Sequence, residues 1–294
     1  METWDEIRTA YHAARLGTVS GAADVLGVHH ATVIRHIDAL EKRLGTKLFQ
    51  RHPRGYTATE AGLDLMRVAQ ATEDQFAQLS GRIRGGGSEV RGEVIVTSVP
   101  ELRSLLTPTL VQFRDRHPGI AIRFLAGDRL FRLEYGEAHV AIRAGNPPEQ
   151  PDNVIQPLVT LRHALYASSA YVARQGLPAD EAALVADHDF IGDDADALRP
   201  PFLRWLRDTV PPERVTYRSS DILAMHEAVL AGAGIGFMPV YLAAQKPDLV
   251  QILPPRPGWS AQLWLVTHVD LHRTTKVQAC LAALKEAARS WENI

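Results

Sequence analysis

Residues 22–62 read AADVLGVHHATVIRHIDALEKRLGTKLFQRHPRGYTATEAG. The order of apolar, basic and turn-forming residues in this stretch decides the fold of the N-terminal head. Gly27 supplies a tight turn. From His30 onward, Val33, Ile37, Leu40 and Leu44 recur at spacings of 4, 3 and 4. That is the period of one helix face, so a helix is predicted over 30–44 with this stripe turned to a core. Its other face presents His30, Thr32, Arg35 and His36. Upstream, Trp4, Ile7, Tyr11 and Ala14 share the helical period, Thr3 and Glu6 form a capping box, and Gly17 ends the helix. Ser20 is expected to cap a second helix through Leu26, whose Gly21, Ala22 and Ala23 permit close helix packing.

Two helices joined by a glycine turn, the second with a polar and basic outer face, predict a helix-turn-helix. In that arrangement the start of the second helix meets base edges in the major groove. Arg35 can pair bidentately with guanine, Thr32 offers a methyl or a hydroxyl, and the rings of His29 and His30 can donate or accept. Three short helices that merely pack together, with His29 and His30 as turn residues, would show the same spacing. Beyond Gly45, two short extended runs flank His52-Pro53-Arg54-Gly55 and predict a β-wing. Arg51 and Arg54 stand where a wing meets phosphates. The charge distribution agrees. Between His29 and Arg54 there are six Lys or Arg and two acids, although the whole chain carries −2, so the remainder must be acidic. A basic head on an acidic body suits a DNA-binding domain joined to another unit.

The gapless run from Ala22 to Gly62 resembles the N-terminal domain of LysR-type transcriptional regulators. Within it, "LGV", Arg35, "LEKRLGTKLFQR" and "TATEAG" carry the likeness. The resemblance implies DNA contacts from His29, His30, Ala31, Thr32, Arg35 and His36 on the helix, and from Arg51, Arg54 and Thr57 on the wing. Many relatives have Ser-Gln-(Ser/Pro) where this chain has His29-His30-Ala31, and often Ser at Ile34. Its operator sequence therefore does not transfer from a relative.

Residues 60–83 contain no Pro and only two Gly, at Gly62 and, near the end, Gly81. Leu65, Val68, Thr72, Phe76, Leu79 and Ile83 are spaced 3, 4, 4, 3 and 4, a heptad-like seam. An amphipathic helix lying on its own domain would read alike. The resemblance implies dimerisation through this helix, which places two heads on paired half-sites of double-stranded DNA. Gly85-Gly86-Gly87-Ser88 is expected to act as a hinge.

Alternating strand and helix patterns then run to the C-terminus. Strands are predicted at 92–97, 121–125, 140–142, 163–167, 215–219, 235–238 and 263–267. Helices are predicted at 102–117, 129–135, 181–185, 202–208, 221–231 and 274–290. The alternation predicts an α/β body with a largely parallel sheet. "FRDRHPGIAIRF", "AIRAG", "LYASSAYVARQGLP" and "EAVLAGAGIGFMPVYLA" are similar to the LysR-type effector domain, a two-lobed α/β unit like a periplasmic binding protein. His139 stands where many relatives have Asp. The implied organisation is a winged helix-turn-helix over 1–62, a linker helix and hinge over 63–88, one lobe from 89–160 plus 268–294, and a second lobe from 161–267.

A small-molecule effector is expected between the lobes, because ligands of open α/β sheets sit beyond strand C-terminal ends near helix starts. Candidate lining residues are Ser98, Pro100, Glu101, Gly127, Asp128 and Asn146 from the first lobe, with Ser219 and Asp221 from the second. Helix capping accounts equally for Ser98, Glu101 and Asp221. A carboxylate at Glu101 would repel an anionic effector and favour a cation, an amine or a hydroxyl-rich ligand. Homodimers or homotetramers are implied, with RNA polymerase a further expected partner.

Other classes fit less well. Hydrophobic residues make up 46% of the chain, yet no apolar run reaches the ~18 residues of a membrane helix, so no membrane partner is expected. The first residues carry acids and an amphipathic pattern rather than a leader's, which points to a bacterial cytoplasmic protein and away from a free solute receptor. One cysteine, Cys280, leaves no intramolecular disulfide and no cysteine-based metal site. Gly232-Ala233-Gly234-Ile235-Gly236 follows a helix and precedes a strand, the reverse of a phosphate loop. His29-His30, His226-Glu227 and His268-Val269-Asp270 lack the further ligands of a metal centre. Neither cofactor nor enzymatic activity is expected. An architectural DNA binder remains as an alternative, and an enzyme built on the α/β body as a more distant one.

Overall fold

A computed structural model describes residues 4–52, 55–83, 90–127, 129–194 and 200–291. The head consists of α1 (Trp4–Leu16), α2 (Val19–Leu26), α3 (His30–Leu44) and a hairpin of β1 (Phe49–His52) with β2 (Gly55–Ala58). Thr18, not Ser20, caps α2, with its hydroxyl accepting from Gly21 N–H at 3.1 Å. The capping role goes to the residue whose backbone is still extended, and that is Thr18. Gly27 ends α2 in the left-handed conformation at φ 66°, and Gly45 ends α3 in the same way. Val33, Ile37 and Leu40 are fully buried with Ala10, Ala13, Ala22, Leu48 and Phe49. Truncating a side chain such as Ile37 to Ala would cost about 2–5 kcal/mol. The predicted stripe stops one turn early, since Leu44 in the last turn of α3 is 41% exposed. Thr3, of the expected capping box, lies outside the described residues, as do Pro53 and Arg54 of the wing turn.

Helix α4 (Glu60–Ile83) follows the wing directly and packs along α1. Leu65 lies against the head core, and Phe76 meets the ring of Trp4 edge-on at 5.5 Å. Part of the seam thus covers the helix's own head, while Val68 (54% exposed) and the remaining face of Phe76 stay open. The hinge expected at 85–88 lies outside the described residues.

The body has two lobes. The first contains β3 (Gly92–Ser98), α5 (Arg103–Arg116), β4 (Ile120–Ala126), β5 (Val140–Ala144) and β6 (Asn153–Leu161). The second runs through β7 (His163–Ser168), α6 (Ser169–Gln175), α7 (Glu181–Asp187), β8 (Phe190–Asp193), α8 (Pro201–Thr209), β9 (Val215–Ser219), α9 (Ile222–Leu230), β10 (Gly236–Pro239), α10 (Val240–Ala243) and β11 (Leu249–Leu253). The chain then returns through β12 (Ala261–His268), α11 (Val269–His272) and α12 (Thr275–Ala288).

The first sheet has the order β4-β3-β5-β12-β6. β3 pairs in parallel with β4 and β5, whereas β12 is antiparallel to both β5 and β6. Val94, Val96, Val140, Ile142, Leu263 and Leu265 face one core with residues of α5 and α12, and Ile95, Ala141 and Val266 face another. Burial on both faces explains the near-continuous apolar runs of these strands.

Three expectations are corrected here. The sheets are mixed, since in the second lobe β7 lies between β10 and β11 and is antiparallel to both. The strand at 263–267, assigned to the second lobe over 161–267, belongs to the first, so the return crossing lies between β11 and β12. Strand pairing is non-local, and an apolar run carries no label of its sheet. The helix predicted at 129–135 shortens to a single 3-10 turn, Leu133–Tyr135.

Candidate DNA interface and effector cleft

His29, His30, Ala31, Ile34 and Arg35 are exposed on α3, and Thr32 is half-buried. The backbone carbonyl of His29 accepts from Thr32 N–H at 2.9 Å, so His29 opens the helix with its imidazole outside it. Among the described residues, no hydrogen bond or ion pair engages the side chains of His29, His30 or Arg35. Much of the other positive charge is answered internally. Arg43 pairs with Glu6, Lys47 with Glu41 at 2.6 Å, and Arg51 with Asp38 at 2.5 Å and Glu41 at 3.2 Å. The Arg51 guanidinium also lies 5.2 Å from the Tyr56 ring centroid. Arg35 is therefore the α3 arginine left open to an outside anion or base.

His36 does not join the outer face. Its Nδ1 lies 3.0 Å from Thr9 Oγ1, and it is half-buried between α3 and α1. Thr57 is exposed on the wing and bonds to His52 Nε2 at 2.7 Å. Arg54 lies outside the described residues. Ile34, one turn after His30 and 38% exposed, is an apolar member of the open face that the polar reading passed over. The helical period from His30 was the signal for it.

In the body, β3, β4 and β5 end side by side, with Ser98 in register with Ala126 and Ile142. This brings Ser98, Pro100, Glu101, Gly127 and Asn146 to one end of the parallel trio. Asp128 lies outside the described residues. Ser98 is buried, its hydroxyl donating to Val99 carbonyl at 3.0 Å and its carbonyl accepting from Gly127 N–H at 3.0 Å. Asn146 is exposed. Asp221 caps α9, accepting from Leu223 N–H at 2.9 Å, and the Ser219 hydroxyl accepts from Asp221 N–H at 3.1 Å.

Glu101 does something the sequence did not indicate. It sits in the 3-10 turn Pro100–Leu102, against which α9 packs. Its Oε1 lies 3.3 Å from His163 Nε2 and 3.5 Å from His226 Nε2, and both histidines belong to the second lobe. Burial works to raise its pKa, but the charge and hydrogen bond of His163 and the charge of His226 prevail and hold it below the usual carboxylate range. An oxygen already engaged by two imidazoles is not a simple selector of cationic ligands, which revises that expectation. The partners are 62 and 125 positions away in the chain, so no local pattern could have shown them.

The glycine run of residues 232–236 serves packing. A Cβ at Gly234 would lie 2.7 Å from Asp189 carbonyl oxygen, where the loop leading to β10 runs beside the start of β8.

Two family models cover most of the chain. Residues 4–63 match the bacterial regulatory helix-turn-helix protein, lysR family, and residues 87–289 match the LysR substrate binding domain. The chain belongs to the LysR family. It is 30% identical to the HTH-type transcriptional regulator IlvY of Escherichia coli over 255 residues, covering 84% of each chain. To the probable HTH-type transcriptional regulator LtrA of Klebsiella pneumoniae it is 26% identical, over 92% of this chain and 90% of the other. The fold matches full-length OxyR from Pseudomonas aeruginosa with a TM-score of 0.70 at 16% identity, covering 98% and 95% of the two chains. It also matches full-length LysG from Corynebacterium glutamicum with bound effector Arg, with a TM-score of 0.68 at 17% identity over 98% of each. As a LysR-type protein, this chain is a DNA-binding transcriptional regulator with an effector-binding body. No described helix is long and apolar enough to cross a membrane.

Proposed function

We propose that this LysR-type regulator reads paired DNA half-sites as a homodimer, or as a pair of dimers, and that a small molecule held between its lobes adjusts the spacing of the heads. The observation that carries the DNA part is the open face of α3. There, among the described residues, the Arg35 side chain has no partner beside His29, His30, Thr32 and Ile34, while Arg43, Lys47 and Arg51 are held by acids of the head itself. Arg35 and Thr32 take base or phosphate contacts, and Ile34 suits a thymine methyl. Arg51, Arg54 and Thr57 serve the backbone, with Arg51 exchanging Asp38 for a phosphate when DNA arrives. The open Val68–Phe76 face of α4 supplies the dimer contact.

The effector enters at the ends of β3–β5, near the backbone at Ser98 and Gly127 and the exposed side chain of Asn146. Its binding changes the assembly only in so far as it prefers one arrangement of the lobes to another. The protein works in the bacterial cytoplasm, without catalysis, and RNA polymerase is its downstream partner. A gel shift on the divergent promoter beside its own coding sequence, titrated with salt and competitor DNA, tests the reading. Binding that survives competitor supports it. Equal affinity for any duplex would instead make the protein an architectural binder.

A further inference from the structure

We propose that Glu101, His163 and His226 form a proton-binding site at the hinge, and that its occupancy sets the angle between the two lobes. This goes beyond the effector reading and rests on the two-lobed body alone. Glu101 comes from the first lobe. His163 opens β7, immediately after the first crossing between lobes, and His226 lies within α9. Both imidazoles are buried, at 1% and 3% exposure.

His163 is held on every side. Its ring stacks on Phe202 with centroids 4.0 Å apart, and its Nδ1 lies 3.2 Å from the carbonyl oxygen of Trp259, beside the return crossing. Its Nε2 faces Glu101. A carbonyl and a carboxylate oxygen can only accept, so two hydrogen bonds from this ring require a proton on each nitrogen. With Glu101 ionised, the contact across the lobes is complete only when His163 is an imidazolium. Remove that proton, and one ring nitrogen turns a lone pair toward an oxygen.

His226 offers a second position. Among the described residues, neither of its ring nitrogens has a hydrogen-bond partner. Burial lowers its pKa, with Glu101 and Glu227 pulling upward and His163 and Arg103 pushing downward. The other groups facing the cluster are the Tyr241 hydroxyl, which donates to the backbone carbonyl of Glu101, and Ser104, 3.2 Å from that hydroxyl. Glu101 Oε1 lies within 3.5 Å of both Nε2 atoms, and the bonds of the His163 ring turn on a proton, so the cluster is assigned to the proton. Its place beside both crossings gives a small change of contact a long lever at the cleft mouth.

The test uses the full-length chain without DNA or effector, so failure here leaves the reading of the head and cleft standing. Leu130→Cys in the first lobe and Leu177→Cys in the second, 72% and 61% exposed, carry spin labels. Cys280 is buried with its thiol pushed up to about 12 by desolvation, and stays unlabelled. Inter-label distances are measured at about pH 5 and about pH 8, the range in which histidine changes charge. A distance that differs between the two, with the difference lost in Glu101→Gln and in His163→Asn, is the expected result. An unchanged distance in the otherwise wild-type chain overturns the proposal. So does a difference that persists in Glu101→Gln, or one that follows added zinc at fixed pH. Should both variants fail to fold, imidazole nitrogen shifts of the wild-type chain decide. The proposal requires a buried imidazolium at mildly acid pH, and uniformly neutral buried rings would end it.

Discussion

The carboxylate of Glu41, in the last turns of α3, accepts the backbone N–H of Leu48 at 2.9 Å, just before the wing begins. The same oxygen takes the N–H of Phe49 at 3.2 Å, while the other oxygen meets Lys47 and Arg51. One buried acid therefore fixes the wing against the recognition helix. Burial raises its pKa, but the bonds from Lys47, Leu48 and Phe49 outweigh that and hold it below the ordinary 4.5.

Glu41→Ala leaves two backbone donors unsatisfied, at about 1–3 kcal/mol for each buried group. The head is expected to unfold at lower temperature, and DNA affinity to fall without loss of the dimer. Because the folded pKa is depressed, the stabilisation from Glu41 is present above about pH 4.5 and is lost as pH falls through the folded value. Acid melting of wild type against Glu41→Gln, which keeps one acceptor without the charge, measures this.

His139 explains the departure from the Asp of many relatives. Its Nδ1 accepts the backbone N–H of Ile95 at 2.8 Å, a role a carboxylate oxygen can also fill. Burial, aided by the charge of Lys276, lowers its pKa to about 3. The unfolded chain therefore takes up this proton first, and stability falls as pH drops below about 6.5, by roughly 1.4 kcal/mol per pH unit. His139→Asp is expected to fold and to lose this part of the slope between pH 6.5 and about 4. An unchanged slope in denaturant titrations would mean that other histidines carry it.

Arg35→Ala is expected to cost about 1–3 kcal/mol of specific binding, with sedimentation of the dimer unchanged. His30→Gln should shift operator preference in a randomised-site selection. An unaltered preference would remove His30 from the base-reading set.

Val68→Glu places a charge on the open face of α4 without touching the head core. Sedimentation should move toward the monomer, and gel-shift affinity for a paired site should fall far more than for a single half-site. If the dimer persists, the contact lies elsewhere.

Much of the head was legible because its signals are local. The bounds of α3 follow from the turn at Gly27, the stop at Gly45 and a four-residue stripe between them, and all act within a few residues of the chain. Leu44 escaped because a period shows a face but not where the neighbouring element ends. His36 looked like a reader for the same reason, since only α1 packing beside α3 brings Thr9 to its ring.

In the body, apolar runs announced most strands but not their partners. The sheet membership of β12 and the union of Glu101 with His163 and His226 depend on contacts between distant segments, which no spacing rule encodes. Sequence alone determined the winged helix-turn-helix, the long linker helix and the alternating α/β body. Tertiary structure alone decided which arginine of α3 stays unpaired, and what Glu101 faces across the lobes. Helix periods and caps are short-range steric and hydrogen-bonding facts, whereas burial, ion pairing and proton affinity belong to neighbours that only folding assembles.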